Sequence, residues 1–197
     1  MNKNQEDGVI IMNGTIEIIQ KRRTCRAYKP EQIKQEELDL ILECGLCAPS
    51  GMNAQNWHFT VMQNTDVINS VSQGVRALIP DTVVERYTAR NNGNSNFSMF
   101  YWAPTVILVS GETADGFASI NCSLAAQNIC IAAESLGVSS AIIGLTALLF
   151  NSPKAAEFEK ELNIPKGYST YFAICLGYKN GESVSPEKKA DTVHYIR

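Results

Sequence analysis

The sequence predicts a chain of the α+β class, in which helices cover a sheet. Two short runs, TVILV at 105–109 and YFAICL at 171–176, are apolar throughout, which is typical of strands buried on both faces. The segment 117–136 between them is apolar almost all round, as expected of a helix in the centre of a core. A sheet with two buried faces needs helices packed against it, which gives a layered arrangement.

The chain before the first strand divides into a leader, two helices and a loop. We expect residues 1–13 to be a leader and residues 14–197 to form a single domain. A short helix is predicted over 15–23, where isoleucines recur at near-helical spacing. A stronger helix is predicted over 34–48, because its apolar residues recur along one helical face. The turn-forming segment PSGMN at 49–53 should end it.

Strands and helices alternate through the middle of the chain. WHFTVM at 57–62 alternates in polarity and is rich in aromatic and β-branched residues, which predicts a strand. A helix at 67–78 follows, and the polar stretch 88–99 is expected to be the least ordered part. The helix over 117–136 should end at Gly137, since glycine commonly terminates helices.

Weaker signals mark the last third of the chain. Residues 140–143 are predicted to be an extended turn leading into Gly144. Ser152 and Pro153 are expected to be the N-cap and the first residue of a helix that continues to about residue 162. Residues 193–196 could form a last strand.

Composition excludes several classes of function. The chain has 197 residues and a formal net charge of −3, which argues against a general nucleic-acid binder. No apolar run approaches the ~20 residues that span a bilayer, and the N-terminus lacks the pattern of a secretory signal. The six cysteines lie mostly in apolar segments, as reduced buried thiols do. We therefore expect a cytoplasmic protein.

A basic run, KRRTCR at 21–26, spans the end of the first predicted helix. Arginine forks bind phosphate in a bidentate manner, and the Thr24 hydroxyl can add a further hydrogen bond. The alternative is that these residues only complement the negative end of the helix dipole.

A second polar cluster lies in the segment APSGMNAQNWHF at 48–59. Ser50, Asn53, Gln55 and Asn56 fall in a loop between a helix and a strand, where amide donors and acceptors suit a flat heteroaromatic ring. Alternatively, they are simply the residues that such a turn needs.

Other candidate groups favour structural interpretations. Cys44 and Cys47 form a CxxC pair at the end of a helix, which favours structural thiols over a redox dithiol, and no second ligand pair follows at zinc-finger spacing. His58 lies between two aromatic residues, so it is expected to be a packed or surface residue. Four aromatic residues between 97 and 102 belong either to a pocket or to the core. GxSxG, HExxH, Walker A and GxGxxG motifs are absent, and we predict no catalytic side chain and no metal site.

Taken together, the motifs resemble those of the nitroreductase-like family of FMN-dependent oxidoreductases. RRTCRAYKPEQI, followed by APSGMNAQNWHFTV, is similar to the family's basic RRS-x-R run and its APS-x-x-N-x-Q-x-W loop. The likeness continues through FYWAPTVILV, the helix SINCSLAAQNICIAAESLGV and the tail VHYIR, and so covers residues 14–197.

The resemblance implies a nitroreductase-like α+β fold, with a central, mostly antiparallel sheet covered by helices. It implies an intertwined homodimer with FMN at each subunit interface. The phosphate and ribityl chain would be held by Arg22, Arg23, Thr24 and Arg26. The groups reaching the flavin from the other subunit would be Pro49, Ser50, Gly51, Asn53 and Gln55. Ile143 and Gly144 would lie over the ring through their backbone, and Lys188 or Lys189 would return to the phosphate.

The same resemblance implies an FMN-dependent NAD(P)H oxidoreductase that works by ping-pong hydride transfer through flavin N5 to a nitroaromatic or quinone. Flavin supplies the hydride chemistry, so the lack of a catalytic triad or metal motif is expected. Segment 66–100 would shape the acceptor pocket. The alternatives are a flavin-binding or storage module without turnover, a flavoenzyme of the same fold with different chemistry such as reductive dehalogenation, and a dithiol protein that uses Cys44 and Cys47.

Overall fold

The structure, a computed structural model, describes residues 13–90, 96–181 and 187–197. The predicted leader therefore lies outside the described residues, apart from Asn13. Asn13 caps helix α1 (Gly14–Lys21), because its side chain accepts a hydrogen bond from the Ile16 N–H at 3.1 Å. The helix predicted over 15–23 is confirmed, but it ends before the arginines.

An antiparallel sheet forms the centre of the described structure. Its strands are β1 (Trp57–Met62), β2 (Thr105–Glu112), β3 (Ser139–Ile143) and β4 (Tyr168–Gly177). Their order across the sheet is β1-β2-β4-β3, and every neighbouring pair is antiparallel. β1 and β3 are therefore the edge strands, and the predicted antiparallel sheet is confirmed.

One face of the sheet packs against α2 (Gln35–Leu46) and α5 (Ala118–Ser135). Ile107 of β2 and Ile129 of α5 are fully buried in this layer. The two helices approach closely at Gly45, where a Cβ atom would lie 2.7 Å from Ile129 Cγ1. This close approach explains a glycine on the apolar face of α2.

The other face packs against a second set of helices. These are α3 (Thr65–Arg76), α6 (Ala147–Phe150) and α7 (Ala155–Glu161). Val106 and Leu108 of β2 point into this layer, because successive residues of a strand face opposite sides. β2 is thus buried on both faces, as its apolar run predicts.

Helix α5 ends as predicted but is less buried than predicted. Gly137 has a φ of 77°, and the Val138 N–H donates to the Ala133 carbonyl at 2.9 Å, which is the hydrogen bond of a glycine-terminated helix. Only one side of α5 packs in the core. The other side leaves Phe117 and Ile120 63% and 54% exposed, so within one chain this helix does not lie in the centre of the core.

Three local predictions differ from the structure, and one helix was not predicted. Ser139–Ile143 is a strand and not a turn, because it pairs with β4 along its whole length. Helix α7 begins at Ala155 and not at Pro153, since Lys154 takes the N-cap position. No strand occupies 193–196 in the described C-terminal segment. An unpredicted helix, α4 (Asp81–Thr88), follows α3, and residues 91–95 of the polar stretch lie outside the described residues.

Candidate functional site

The arginine segment runs along the outer edge of β3. After α1 ends, Thr24 forms a parallel bridge with Ser140, and the Cys25 N–H donates to the Ser140 carbonyl at 2.9 Å. Farther along, Tyr28 bridges to Lys179, just beyond the end of β4. Cys25 and Tyr28 are buried in the core. The backbone that carries the arginines is therefore anchored at this edge of the sheet.

The three arginines of this segment have different surroundings. The Arg23 guanidinium donates to the carbonyls of Gln20 and Arg22 at 2.6 and 2.7 Å, so it satisfies the C-terminal turn of α1. Arg22 is half-buried, and Arg26 is exposed beside Tyr101. The helix-end alternative is therefore confirmed for Arg23, and the anion site of Arg22, Thr24 and Arg26 stays a prediction.

β3 leads into an open turn on the same edge. Its last residue, Ile143, is buried, and the 3₁₀ turn Gly144–Thr146 follows. Gly144 is exposed, and a Cβ atom built there would meet nothing within 4 Å. The Thr24–Ser140 bridge places the start of the arginine segment beside β3, three residues before the last residue of that strand. The cations and an open backbone surface therefore lie along one edge of the sheet.

The loop before β1 is held in an uncommon conformation. Met52, Asn53 and Gln55 have positive φ values of 51°, 56° and 46°, which non-glycine residues rarely adopt. The Gln55 N–H donates to Ser50 Oγ at 3.0 Å, and Gln55 Nε2 donates to Asn53 Oδ1 at 2.8 Å. Such strain persists only where surrounding contacts determine it. The candidate residues exposed on this loop are Pro49, Gly51, Asn53 and Gln55, and Ser50 is half-buried.

A buried chain of amides fixes this loop to the start of α5. The Gly51 N–H donates to Asn121 Oδ1 at 3.0 Å, and Asn121 Nδ2 donates to Asn56 Oδ1 at 2.9 Å. Asn56 Nδ2 donates in turn to Asp115 Oδ2 at 2.6 Å, and the other Asp115 oxygen accepts from the Phe117 N–H at 2.8 Å. Sequence reasoning missed Asn121. The available signal was a lone amide in an apolar helix, since a buried amide needs partners.

Within one chain the loop and the arginine segment lie at opposite corners of the sheet. Trp57, which follows the loop, pairs with Gly111 of β2, whereas Ser140 beside the arginines is level with Thr105 at the other end of β2. The two corners are separated by three strand-to-strand spacings across the sheet and by six residues along a strand. Together these amount to about 25 Å. A single chain therefore does not bring the two predicted groups together.

A small recess lies between α4 and the turn that follows β3. Its volume is about 230 Å³, and it is lined by Val83, Arg86, Tyr87, Arg90 and Leu145. Leu145 directly follows the exposed Gly144. Sequence reasoning assigned the acceptor pocket to segment 66–100 without identifying these side chains, because α4 itself was not predicted.

The remaining candidates stand apart from these groups. Lys188 and Lys189 are exposed, and in the described part of the chain no hydrogen bond or ion pair joins them to the arginine segment. Cys44 and Cys47 are exposed free thiols, which differs from the buried thiols expected, whereas the other four cysteines are buried. Of the aromatic residues at 97–102, Phe100 and Tyr101 are buried in the core.

Metal and membrane sites find no support within the described ranges. No group of His, Cys, Asp and Glu side chains there is arranged to hold a metal ion. Among the described helices, none has the length and apolar character needed to cross a bilayer.

Comparisons with known proteins identify the family and the fold. The Nitroreductase family model matches residues 19–178. A nitroreductase with bound FMN from Desulfitobacterium hafniense is 33% identical, with a TM-score of 0.86 over 95% of this chain and 100% of that chain. A relative from Methanothermobacter thermautotrophicus, provisionally named NADH dehydrogenase/NAD(P)H nitroreductase, is 29% identical over 87% of this chain and 81% of its own length. An iodotyrosine deiodinase from Thermotoga neapolitana is 26% identical over 82% of this chain and 87% of that protein.

Proposed function

The chain belongs to the nitroreductase family, and from that premise we propose that it is an FMN-dependent oxidoreductase. It takes electrons from NADH or NADPH and passes them to a small acceptor such as a nitroaromatic or a quinone. The observation that carries the proposal is the arginine segment running beside the strand that ends at the open Gly144 turn. When bound, FMN supplies hydride transfer through its N5 atom.

The donor set on this edge fits the phosphate end of FMN. Arg22 and Arg26 offer charge-assisted hydrogen bonds to a phosphate dianion, and the Thr24 hydroxyl adds a neutral one. Arg23 is engaged with α1, so its contribution is to hold the segment in place. Lys188 or Lys189 would add a further cation from the C-terminal segment.

The polar groups of the loop fit the ring end of the same ligand. Asn53 and Gln55 present amide donors and acceptors that match the pyrimidine edge of a flavin. The neighbouring Pro49, Ser50 and Gly51 would bring backbone and hydroxyl groups to it. From the other side, the backbone of Ile143 and Gly144 offers an open surface over which a flat ring can lie.

The groups that bind the two ends of the ligand must come from two copies of the chain. FMN is shorter than the separation of about 25 Å between the two corners of one sheet. The exposed side of α5 begins beside the loop, since Phe117 Cβ lies 4.0 Å from the Cβ position of Gly51. Phe117, Ile120 and Leu124 form an apolar stripe along that side, as expected of a surface that a second copy covers. A homodimer built on this stripe would carry each loop toward its partner.

The chain's own groups bind, orient and shield, and none needs to act as an acid or a base. The sequence has no dinucleotide-binding fingerprint, so donor and acceptor would use the open surface at Gly144 in turn. Successive use of one surface predicts a ping-pong order. Helix α4 borders that surface and is the element best placed to select the acceptor.

An anaerobic titration tests the proposal. The purified protein should carry a flavin absorbance spectrum, or acquire one on addition of FMN, and NADH or NADPH should bleach it without oxygen. Addition of a nitroaromatic or quinone should then restore the spectrum. Failure to bind FMN would reject a flavoprotein. A bound flavin that stays oxidised with both donors would favour a storage module instead.

The relationship to an iodotyrosine deiodinase favours a second candidate, reductive dehalogenation at the same site. The two reactions differ in the compound that reoxidises the reduced protein. The dehalogenase interpretation predicts that the reduced protein is reoxidised by an aryl iodide with release of iodide, whereas the oxidoreductase interpretation predicts reoxidation by the nitroaromatic or quinone alone.

A further inference from the structure

The recess between α4 and the Gly144 turn combines an apolar floor with two cations. Val83 and Leu145 supply aliphatic surface, Tyr87 supplies an aromatic ring, and Arg86 and Arg90 supply the charges. This combination is absent from the predicted phosphate segment, which has no aromatic side chain in the run KRRTCR. The two features therefore select different ligand chemistry.

Neighbouring aromatic residues hold the floor of the recess in place. The Tyr87 ring stacks on Tyr101, with a centroid distance of 5.5 Å and an interplanar angle of 9°, and lies 6.2 Å from the ring of Phe97. Tyr101 and Trp102 both have positive φ values, of 52° and 53°, a strain that packed surroundings must maintain. The Tyr87 ring is thus fixed on one face while its side chain borders the recess.

The charges at the recess are not neutralised by the described carboxylates. The ion pairs found among described residues are Lys29–Glu31 and Arg76–Asp81, and neither involves Arg86 or Arg90. Burial raises the pKa of the Tyr101 phenol, and Arg26 and Arg90 beside it partly offset that effect. Both arginines line the recess, and the charge of Arg90 lies beside the Tyr101 phenol.

We propose that this recess is the acceptor subsite for an aromatic ring that carries a carboxylate. The ring would lie against Tyr87, Val83 and Leu145, and the carboxylate would bind Arg86 and Arg90. Guanidinium groups bind carboxylates in a bidentate manner, and arginine is favoured where planar anions are recognised. The inference rests on the proposed function, because Leu145 adjoins the Gly144 surface over which the flavin would lie.

The size of the recess argues for an aromatic acid and against the phosphates of the electron donor. Pockets for drug-sized ligands typically measure roughly 300–1,000 Å³, and this recess measures about 230 Å³. It therefore suits one ring with one acid group. A dinucleotide phosphate would also gain nothing from the aromatic floor.

Binding of matched ligands to the FMN-loaded protein tests the subsite. Calorimetry would compare benzoate with benzamide, which has the same shape without the charge, on the oxidised protein and on an Arg86→Gln/Arg90→Gln variant. Lys160→Gln, an exposed position on α7, is the control for loss of a cation. We expect the double variant to bind benzoate about tenfold or more weakly, since each charge-assisted contact is worth at least about 1.5 kcal/mol. Its affinity for benzamide should change by less than about twofold.

The remaining measurements separate this subsite from the flavin and the donor. FMN affinity, followed by the flavin spectrum, and the ratio of kcat/KM for NADPH and NADH should be unchanged in the double variant. Equal weakening of benzoate and benzamide would overturn the proposal, as would a loss of FMN affinity or a selective loss of NADPH. If the unsubstituted protein binds no FMN, the proposed function fails. If it binds FMN and does not distinguish the two ligands, the subsite alone fails.

Discussion

Replacing Asn121 with alanine tests how the loop at 50–55 is held. The side chain is 2% exposed and makes two hydrogen bonds, to the Gly51 N–H and to Asn56 Oδ1. Gly51 is exposed and can bind water instead, whereas Asn56 is 4% exposed and its oxygen would stay unpaired. An unsatisfied buried group costs about 1–3 kcal/mol and a lost hydrogen bond about 1 kcal/mol, so we expect a loss of about 2–4 kcal/mol.

Urea unfolding at a fixed protein concentration measures this loss, with FMN affinity as a second readout. Asn128→Ala is the matched control, because Asn128 lies on the same helix and donates to the exposed Cys44 carbonyl at 3.1 Å, away from the loop. The control should lose no more than about 1 kcal/mol and keep its FMN affinity. The reasoning would be refuted if both variants lost equal stability, or if Asn121→Ala bound FMN as tightly as the unsubstituted protein.

Three further predictions concern packing and ionisation. Gly45→Ala should lower the free energy of unfolding by about 1–3 kcal/mol, because its Cβ would meet Ile129 at 2.7 Å, whereas Gly14→Ala, with open space around it, should not. At pH 8 no more than two of the six thiols should react with a disulfide reagent before unfolding, since four are buried and burial raises the pKa of Cys122 to about 11; a third fast thiol would contradict this. Burial raises the pKa of Tyr87 from 10.0 to about 12. The contribution of Tyr87 to stability is therefore complete below pH 10 and is lost as pH rises toward 12. Tyr87→Phe should remove this loss when the free energy of unfolding is measured from about pH 9 to 12.

Elements with strong local signals were predictable from the sequence. The strand at 57–62 has its predicted bounds, because alternating aromatic and β-branched residues leave few other solutions. The end of α5 was predictable because Gly137 alone can take the positive φ that ends that helix without strain. Both depend on residues adjacent in the sequence.

Elements that depend on distant partners were not predictable. β3 is a short run next to glycine, and only its pairing with β4 makes it a strand. Helix α4 begins after Pro80 in a polar stretch, with Val83 and Tyr87 as its partly buried contacts. The sequence offered a role at the helix end for the whole basic run and could not single out Arg23, since that hydrogen bonding depends on where α1 stops.

The site is recognisable from the sequence only as two separate motifs. Each motif carries its chemistry in neighbouring residues, so both could be identified. Their relation depends on the strand order, which puts the loop and the arginine segment at opposite corners of one sheet. A shared ligand would therefore require a second chain, which the family resemblance implies but neither motif indicates by itself.

A mixed dimer, assembled from two different variants of the chain, gives the most direct test of this account. One chain would carry Arg22→Ala/Arg26→Ala and the other Asn53→Ala/Gln55→Ala, each with its own affinity tag, and dimers with both tags would be isolated and their FMN content measured. Neither parent dimer should retain FMN, whereas the mixed dimer should retain one FMN per pair of chains, because one of its two sites combines intact arginines with an intact loop. A mixed dimer without FMN would mean that each chain builds its site alone and would contradict the account.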